Sequence, residues 1–160
     1  MIILGVDPSI SDTGYAIMDC KRLVAYGHVK TSSKDDYMDR LQVFYKTIQE
    51  LCTEYKPDVL AIETQYINYS GFSSNSILKV TELKGVIEGA YWSIMKKGKV
   101  YDVNPKTVKS YIGLPIKAKR EAAKTASLAY VNDNYETFSS KNNNESDAVL
   151  IALCGFDHAV

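Results

Sequence analysis

Ile2-Ile3-Leu4-Gly5-Val6-Asp7-Pro8-Ser9-Ile10-Ser11-Asp12-Thr13-Gly14-Tyr15-Ala16-Ile17-Met18 is the stretch on which the fold turns. Residues 2–6 are apolar, partly β-branched and too few for a helix, so they predict a buried strand that ends at Asp7. Pro8, Ser9, Ser11, Asp12 and Gly14 then supply the residue types of a tight turn. Residues 15–18 and 23–29 predict two further strands joined by a hairpin over 19–22, so the chain opens with three antiparallel strands.

Working outward, Met38, Leu41, Tyr45, Ile48 and Cys52 recur at intervals of three and four, the spacing of one helix face, with Asp35 and Asp36 near the favourable N-terminal end. After Pro57, residues 59–62 predict a second buried strand closing at Glu63. A strand, a helix and a strand in that order imply parallel pairing. Residues 68–76 read as a polar loop before a helix over 77–95, in which Gly85 and Gly89 predict close approach by a neighbouring element. There follow a short strand at 100–103, a helix over 105–111 with Pro105 in its first turn, a Gly113-Leu114-Pro115 break, a helix over 117–131, a polar loop to 144 and a last helix over 145–156. The fold class is α/β: a central mixed five-stranded sheet, three antiparallel strands plus parallel ones, flanked by helices in a single domain over 1–160.

Composition narrows the function. With 160 residues, 46% hydrophobic and 24% charged, the chain buries a core without help from disulfides or a structural metal. Cys20, Cys52 and Cys154 are scattered, odd in number and form no C-x-x-C, which predicts reduced thiols, no zinc site and a cytosolic protein; no membrane span or signal peptide is expected. The formal net charge is zero, yet the segment 96–124 holds nine bases (Lys96, Lys97, Lys99, Lys106, Lys109, Lys117, Lys119, Arg120, Lys124) against two acids. Such clustering predicts either a phosphate-facing patch or an ordinary solvated helix face.

Three carboxylates fall where α/β sheets gather their chemistry. Asp7 and Glu63 close two buried strands, and Asp147 lies in the expected first turn of the last helix. Singly, each has a plain structural reading as a turn residue, a surface acid or a helix N-terminal charge. Jointly, converging carboxylates repel unless a cation joins them. Hard oxygen ligands suit magnesium, and a pair of such ions about 3.5–4 Å apart suits phosphodiester hydrolysis. Lysines would then neutralise the flanking phosphates.

These letters carry a resemblance. Residues 3–16, with Asp7-Pro8 and Thr13-Gly14, resemble the opening of RuvC-type Holliday junction resolvases. Ile62-Glu63-Thr64-Gln65-Tyr66, then Pro105-Lys106-Thr107-Val108-Lys109 with Gly113 and Lys119, then Ser146-Asp147-Ala148 resemble that family's later motifs in the same order. The resemblance implies an RNase H-like fold, a homodimer, dependence on magnesium with manganese as a substitute, and paired nicks across a four-way DNA junction. It makes Asp7, Glu63 and Asp147 metal ligands and catalytic residues. It places Lys109 and Lys119, with the neighbouring Lys117 and Arg120, against DNA, and gives Tyr66 a stacking role at the crossover, where the plain alternative is a partly buried tyrosine. The small size suits a virus-encoded or streamlined enzyme.

One position departs from the family pattern, which has Asp or His three residues before the helix Asp. Here it is Asn144, followed by Glu145, so the fourth ligand is either Glu145 or, as a weaker donor, Asn144. Two alternatives stay open. A junction-binding module without catalysis accords with Asn144, and an actin-like phosphotransferase shares the first strand and turn but needs a second domain.

Overall fold

The computed structural model describes residues 1–64 and 74–160. Five strands, β1 (Ile2–Asp7), β2 (Asp12–Asp19), β3 (Arg22–Lys30), β4 (Val59–Glu63) and β5 (Lys99–Val103), form one sheet in the order β3-β2-β1-β4-β5. The first three are antiparallel neighbours; β1 pairs with β4 and β4 with β5 in parallel. Five helices follow the expected order: α1 (Tyr37–Tyr55), α2 (Ser74–Ile94), α3 (Pro105–Tyr111), α4 (Arg120–Asn134) and α5 (Asn143–Ala159).

Alternation along the strands sorts side chains into two layers. Leu4, Val6, Ile17, Leu60 and Ile62 pack against α1 and α2 through Leu41, Phe44, Ile48, Leu83, Ile87 and Tyr91. Ile3, Ala16, Met18, Val59, Ala61 and Val103 face the other way, onto α5 and, beyond it, Val131 of α4. Each fully buried aliphatic side chain contributes about 1.5–3 kcal/mol. The first layer corrects two details of the α1 stripe. Met38 is 61% exposed and Tyr45 36%, while Phe44 and Leu51, outside the expected spacing, are buried.

Helix α5 is clamped to the sheet where two strands carry no side chain. A Cβ on Gly5 would overlap the Ala148 carbonyl and Ala152, and one on Gly14 would overlap the Asn144 carbonyl. The N-terminal turns of α5 therefore lie directly on the ends of β1 and β2 from which Asp7 and Asp12 project. Gly85 and Gly89 behave otherwise. Among the described residues nothing stands within 4 Å of a Cβ at either position, so none of them approaches these glycines; the buried face of α2, Leu83, Ile87 and Tyr91, lies on its other side.

Three helix starts also differ. α2 begins inside the expected loop. α4 begins at Arg120 rather than 117, because Ala118 N closes a turn onto Pro115 O (2.8 Å) and the Lys109 ammonium donates to the carbonyls of Ile116 (3.2 Å) and Ala118 (3.0 Å). α5 begins at Asn143, with Asn142 Oδ1 accepting from Asn144 N at 2.9 Å, so Asp147 stands in the second turn, not the first.

Candidate active site

Parallel pairing positions two of the acids. Val6 and Ile62 are the last partners between β1 and β4, and Asp7 and Glu63 follow them at the same register. Strands in a sheet are about 4.8 Å apart and opposed residues share a face. Both carboxylates therefore leave the C-terminal edge of the sheet on the side covered by α5, where Asp147 comes down from above.

The turn after Asp7 is fastened from both ends. Thr13 Oγ1 donates to Ser9 O (2.6 Å) and accepts from Ser9 N (3.0 Å). Buried Arg40 of α1 reaches across to Ile10 O and Thr31 Oγ1, both at 2.9 Å. Thr13 belongs to the Thr13-Gly14 pair of the opening motif, whereas Arg40 reads in the sequence as an ordinary polar position.

Charge makes the convergence explicit. Burial raises the Asp7 carboxyl well above its ordinary range, and the charges of Glu63 and Asp147 raise it further, against Lys124 and Arg120. Burial, then Asp147, pushes Glu63 up to about 7, with Arg120 opposing. Burial pushes Asp147 to about 6, opposed by a hydrogen bond donated by the Ser127 hydroxyl and by Lys124 and Arg120. Arg120, Lys124, Ser127 and Val131 are spaced i, i+4, i+7 and i+11, so one stripe of α4 supplies two cations and a hydroxyl to the acids. Lys124 reads in the sequence only as one of nine bases and Ser127 gives no signal there; their place beside the acids is visible once the helix phase is known.

The other expected residues divide. Lys117, Lys119 and Arg120 are exposed on the approach to α4, whereas Lys109 is engaged with the two loop carbonyls. Glu145 turns away from the acids: its buried Oε1 accepts from His28 Nδ1 at 2.6 Å, on the β3 side of α5. The expectation that it replaces a fourth ligand is corrected by helix phase, since about 200° of rotation separates it from Asp147. Asn144 Nδ2 donates to Asp12 O at 2.9 Å. Tyr66 lies outside the described residues. The basic segment is not one surface: β5 carries the chain across the sheet, so Lys96, Lys97 and Lys99 lie at the opposite edge from Lys117–Lys124.

The family model described as crossover junction endodeoxyribonuclease RuvC matches residues 3–155. The chain belongs to the RuvC family. It is 31% identical over 159 residues to RuvC of Prosthecochloris aestuarii, covering 96% of this chain and 80% of that one. To RuvC of Brachyspira hyodysenteriae it is 33% identical over 162 residues, covering 96% and 92%. Thermus thermophilus RuvC, solved in complex with a Holliday junction substrate, superposes with a TM-score of 0.79 at 21% identity, over 99% of this chain and 95% of that one. The yeast mitochondrial Holliday junction resolvase gives 0.62 at 14% identity, over 96% and 77%. The mixed five-stranded sheet with helices on both faces is the RNase H-like fold of these RuvC structures. Family membership makes the chain a RuvC-type, structure-specific DNA endonuclease.

The donor set at the RuvC acids is all oxygen and anionic, with each carboxyl disfavoured as an anion by burial, which suits a hard divalent cation. Among the described residues, no three His, Cys, Asp or Glu side chains are gathered tightly enough to hold an ion unaided. Such cations keep several water or phosphate oxygens in their shell, so a few carboxylates suffice. Among the described residues, no helix is long and apolar enough to cross a membrane.

Proposed function

We propose that the protein resolves four-way DNA junctions by paired phosphodiester hydrolysis at two copies of this site in a homodimer, with magnesium, or manganese in its place, as cofactor. The observation that carries this reading is the placement of Asp7 and Glu63 in register on adjacent parallel strands, with Asp147 above and the Arg120–Lys124 stripe opposite.

Asp7, Glu63 and Asp147 would hold the cation, which when bound supplies Lewis-acid charge and an activated water. The chain's own residues do the rest. Arg120 and Lys124 offset carboxylate charge and offer donors to a backbone phosphate that enters between α4 and the sheet edge. Ser127, 3% exposed, holds Asp147 by donating a hydrogen bond to the carboxylate. Lys117 and Lys119 bind flanking phosphates, and Lys109 keeps their loop in shape rather than binding DNA first. Tyr66 follows Glu63 by three residues and would lie beside the same DNA. For the second copy, α2 offers a face on which Leu78 (60% exposed) and Trp92 (49%) flank Gly85 and Gly89, with spacings of seven, four and three.

A synthetic four-way junction incubated with the protein and magnesium tests the reading. Symmetric paired nicks that vanish with Asp7→Asn support it, and a junction bound but left intact refutes catalysis. That second outcome is the junction-binding module. It is favoured by Asn144 and Glu145 both being committed to other partners, which leaves three acids at the site.

A further inference from the structure

We propose that His28 is a positioning residue for Asp147: by holding Glu145 against β3, it sets the rotation of the first turns of α5 so that Asp147 faces Asp7 and Glu63. This rests on the assignment of Asp147 as a metal ligand made above.

The geometry is specific. His28 pairs across the sheet with Gly14, the position on which the Asn144 carbonyl rests. The imidazole therefore stands beside the strand residue on which the first turn of α5 rests through its backbone. A carboxylate only accepts, so His28 Nδ1 carries the proton in its 2.6 Å bond to Glu145 Oε1. Glu145 is 6% exposed, and among the described residues its side chain is hydrogen-bonded to His28. On the same side of the helix end, Asn144 Nδ2 donates to Asp12 O. With Asn144 and Glu145 tied to β2 and β3, Asp147, two residues on and about 200° around the axis, is directed over β1 and β4. Further along, Gly5 and Gly155 clamp α5 by backbone and methyl contact, so the polar ties bear on the N-terminal turns alone. Removing the imidazole would leave a buried carboxylate without its partner, and the least costly relief is rotation or fraying of those turns toward water.

The test measures binding of manganese alone by calorimetry, without DNA, beside junction affinity in chelator. Asp147→Asn should weaken manganese binding at least tenfold. His28→Ala should weaken it about three- to tenfold while junction affinity stays within twofold. His28→Gln, which keeps a donor, should recover most of the loss, and His28→Ala with Glu145→Ala together should be no worse than His28→Ala alone. Phe44→Leu, in the opposite core layer, serves as a stability control at a matched melting temperature. Wild-type manganese affinity in His28→Ala, or an equal loss in Phe44→Leu, overturns the positioning role. Wild-type affinity in Asp147→Asn overturns the ligand assignment on which it depends.

Discussion

Asp7 and Glu63 each stand one residue past the last partners of β1 and β4, and each is also held from its outer side, Asp7 by Gly14 of β2 and Glu63 by Val103 of β5. Their backbones are fixed on both flanks, so the carboxylates cannot separate by moving the chain. Repulsion at this edge is built into the ladder and is relieved only by a proton, a cation, or the ammonium and guanidinium groups of α4.

Asp7→Asn removes one charge from that set without disturbing the strand. If Asp7 holds the cation as proposed, cleavage should fall at least about a hundredfold, while junction binding in chelator stays unchanged. Without divalent ions the variant should melt about 2–4 °C higher, equivalent to a gain of about 1 kcal/mol for a chain of this size. Gel-based cleavage and binding assays with a calorimetric scan check all three, and a variant that still nicks at the wild-type rate removes Asp7 from the chemistry.

The same repulsion gives stability a sign with pH. Asp7, Glu63 and Asp147 bind protons more tightly folded than unfolded, with Glu63 near 7 and Asp147 near 6. Between the ordinary carboxylate range and those values the native state holds more protons, so Glu63 and Asp147 make stability fall as pH rises from about 4 to about 7, and Asp7 contributes in the same direction. Below that window the three acids are protonated in both states and the contribution is fully present. Melting temperatures in chelator should trace this fall, and millimolar magnesium should flatten its upper part by replacing the lost protons. A stability that rises through the window would contradict the convergence of the acids.

Asp7 and Glu63 were legible in sequence because each ends an apolar run whose length and β-branching identify a strand, and a strand end is a fixed place. Helix phase was not. The run Lys141-Asn142-Asn143-Asn144-Glu145 contains several residues able to cap a helix; with Asn144 as the cap, Glu145 opens the helix and its long side chain is free to turn to the acids, whereas the cap at Asn142 places it inside the first turn, where it sits on His28. Likewise α4 starts three residues late because Lys109, seven and nine residues from its acceptors Ile116 and Ala118, holds the loop open. No local propensity reports such a tie. Without the true start, the Arg120, Lys124, Ser127 stripe stays hidden in a segment that reads only as basic.

Lys119 and Lys109 should therefore fail differently. Lys119→Ala removes an exposed charge, so the slope of log affinity against log salt should shrink by about 0.9, one phosphate's worth, with no change in melting temperature. Lys109→Ala frees two carbonyls and loosens the loop, lowering the melting temperature by about 2–4 °C for a loss of about 1 kcal/mol. Junction titrations over a salt series and thermal scans separate the two, and identical behaviour would mean that Lys109 leaves the loop carbonyls and binds DNA directly.

Ser127→Ala isolates the hydroxyl that steadies Asp147. Donation to a carboxylate favours its charged form, so losing the donor should raise the Asp147 carboxyl further above its present value near 6. A protonated Asp147 competes poorly for a cation. At limiting magnesium the cleavage rate of the variant should therefore drop most at pH 6 and least at pH 8, moving the acidic limb of the profile upward. Stability should fall by about 1.5–3 kcal/mol, the range for a hydrogen bond to a charged group. Deleting the single hydroxyl oxygen leaves the packing of α4 on α5 almost intact. Profiles that stay parallel at every pH would assign Ser127 to helix packing alone, and a displaced acidic limb with normal activity at pH 8 would tie its proton to the acids beneath it.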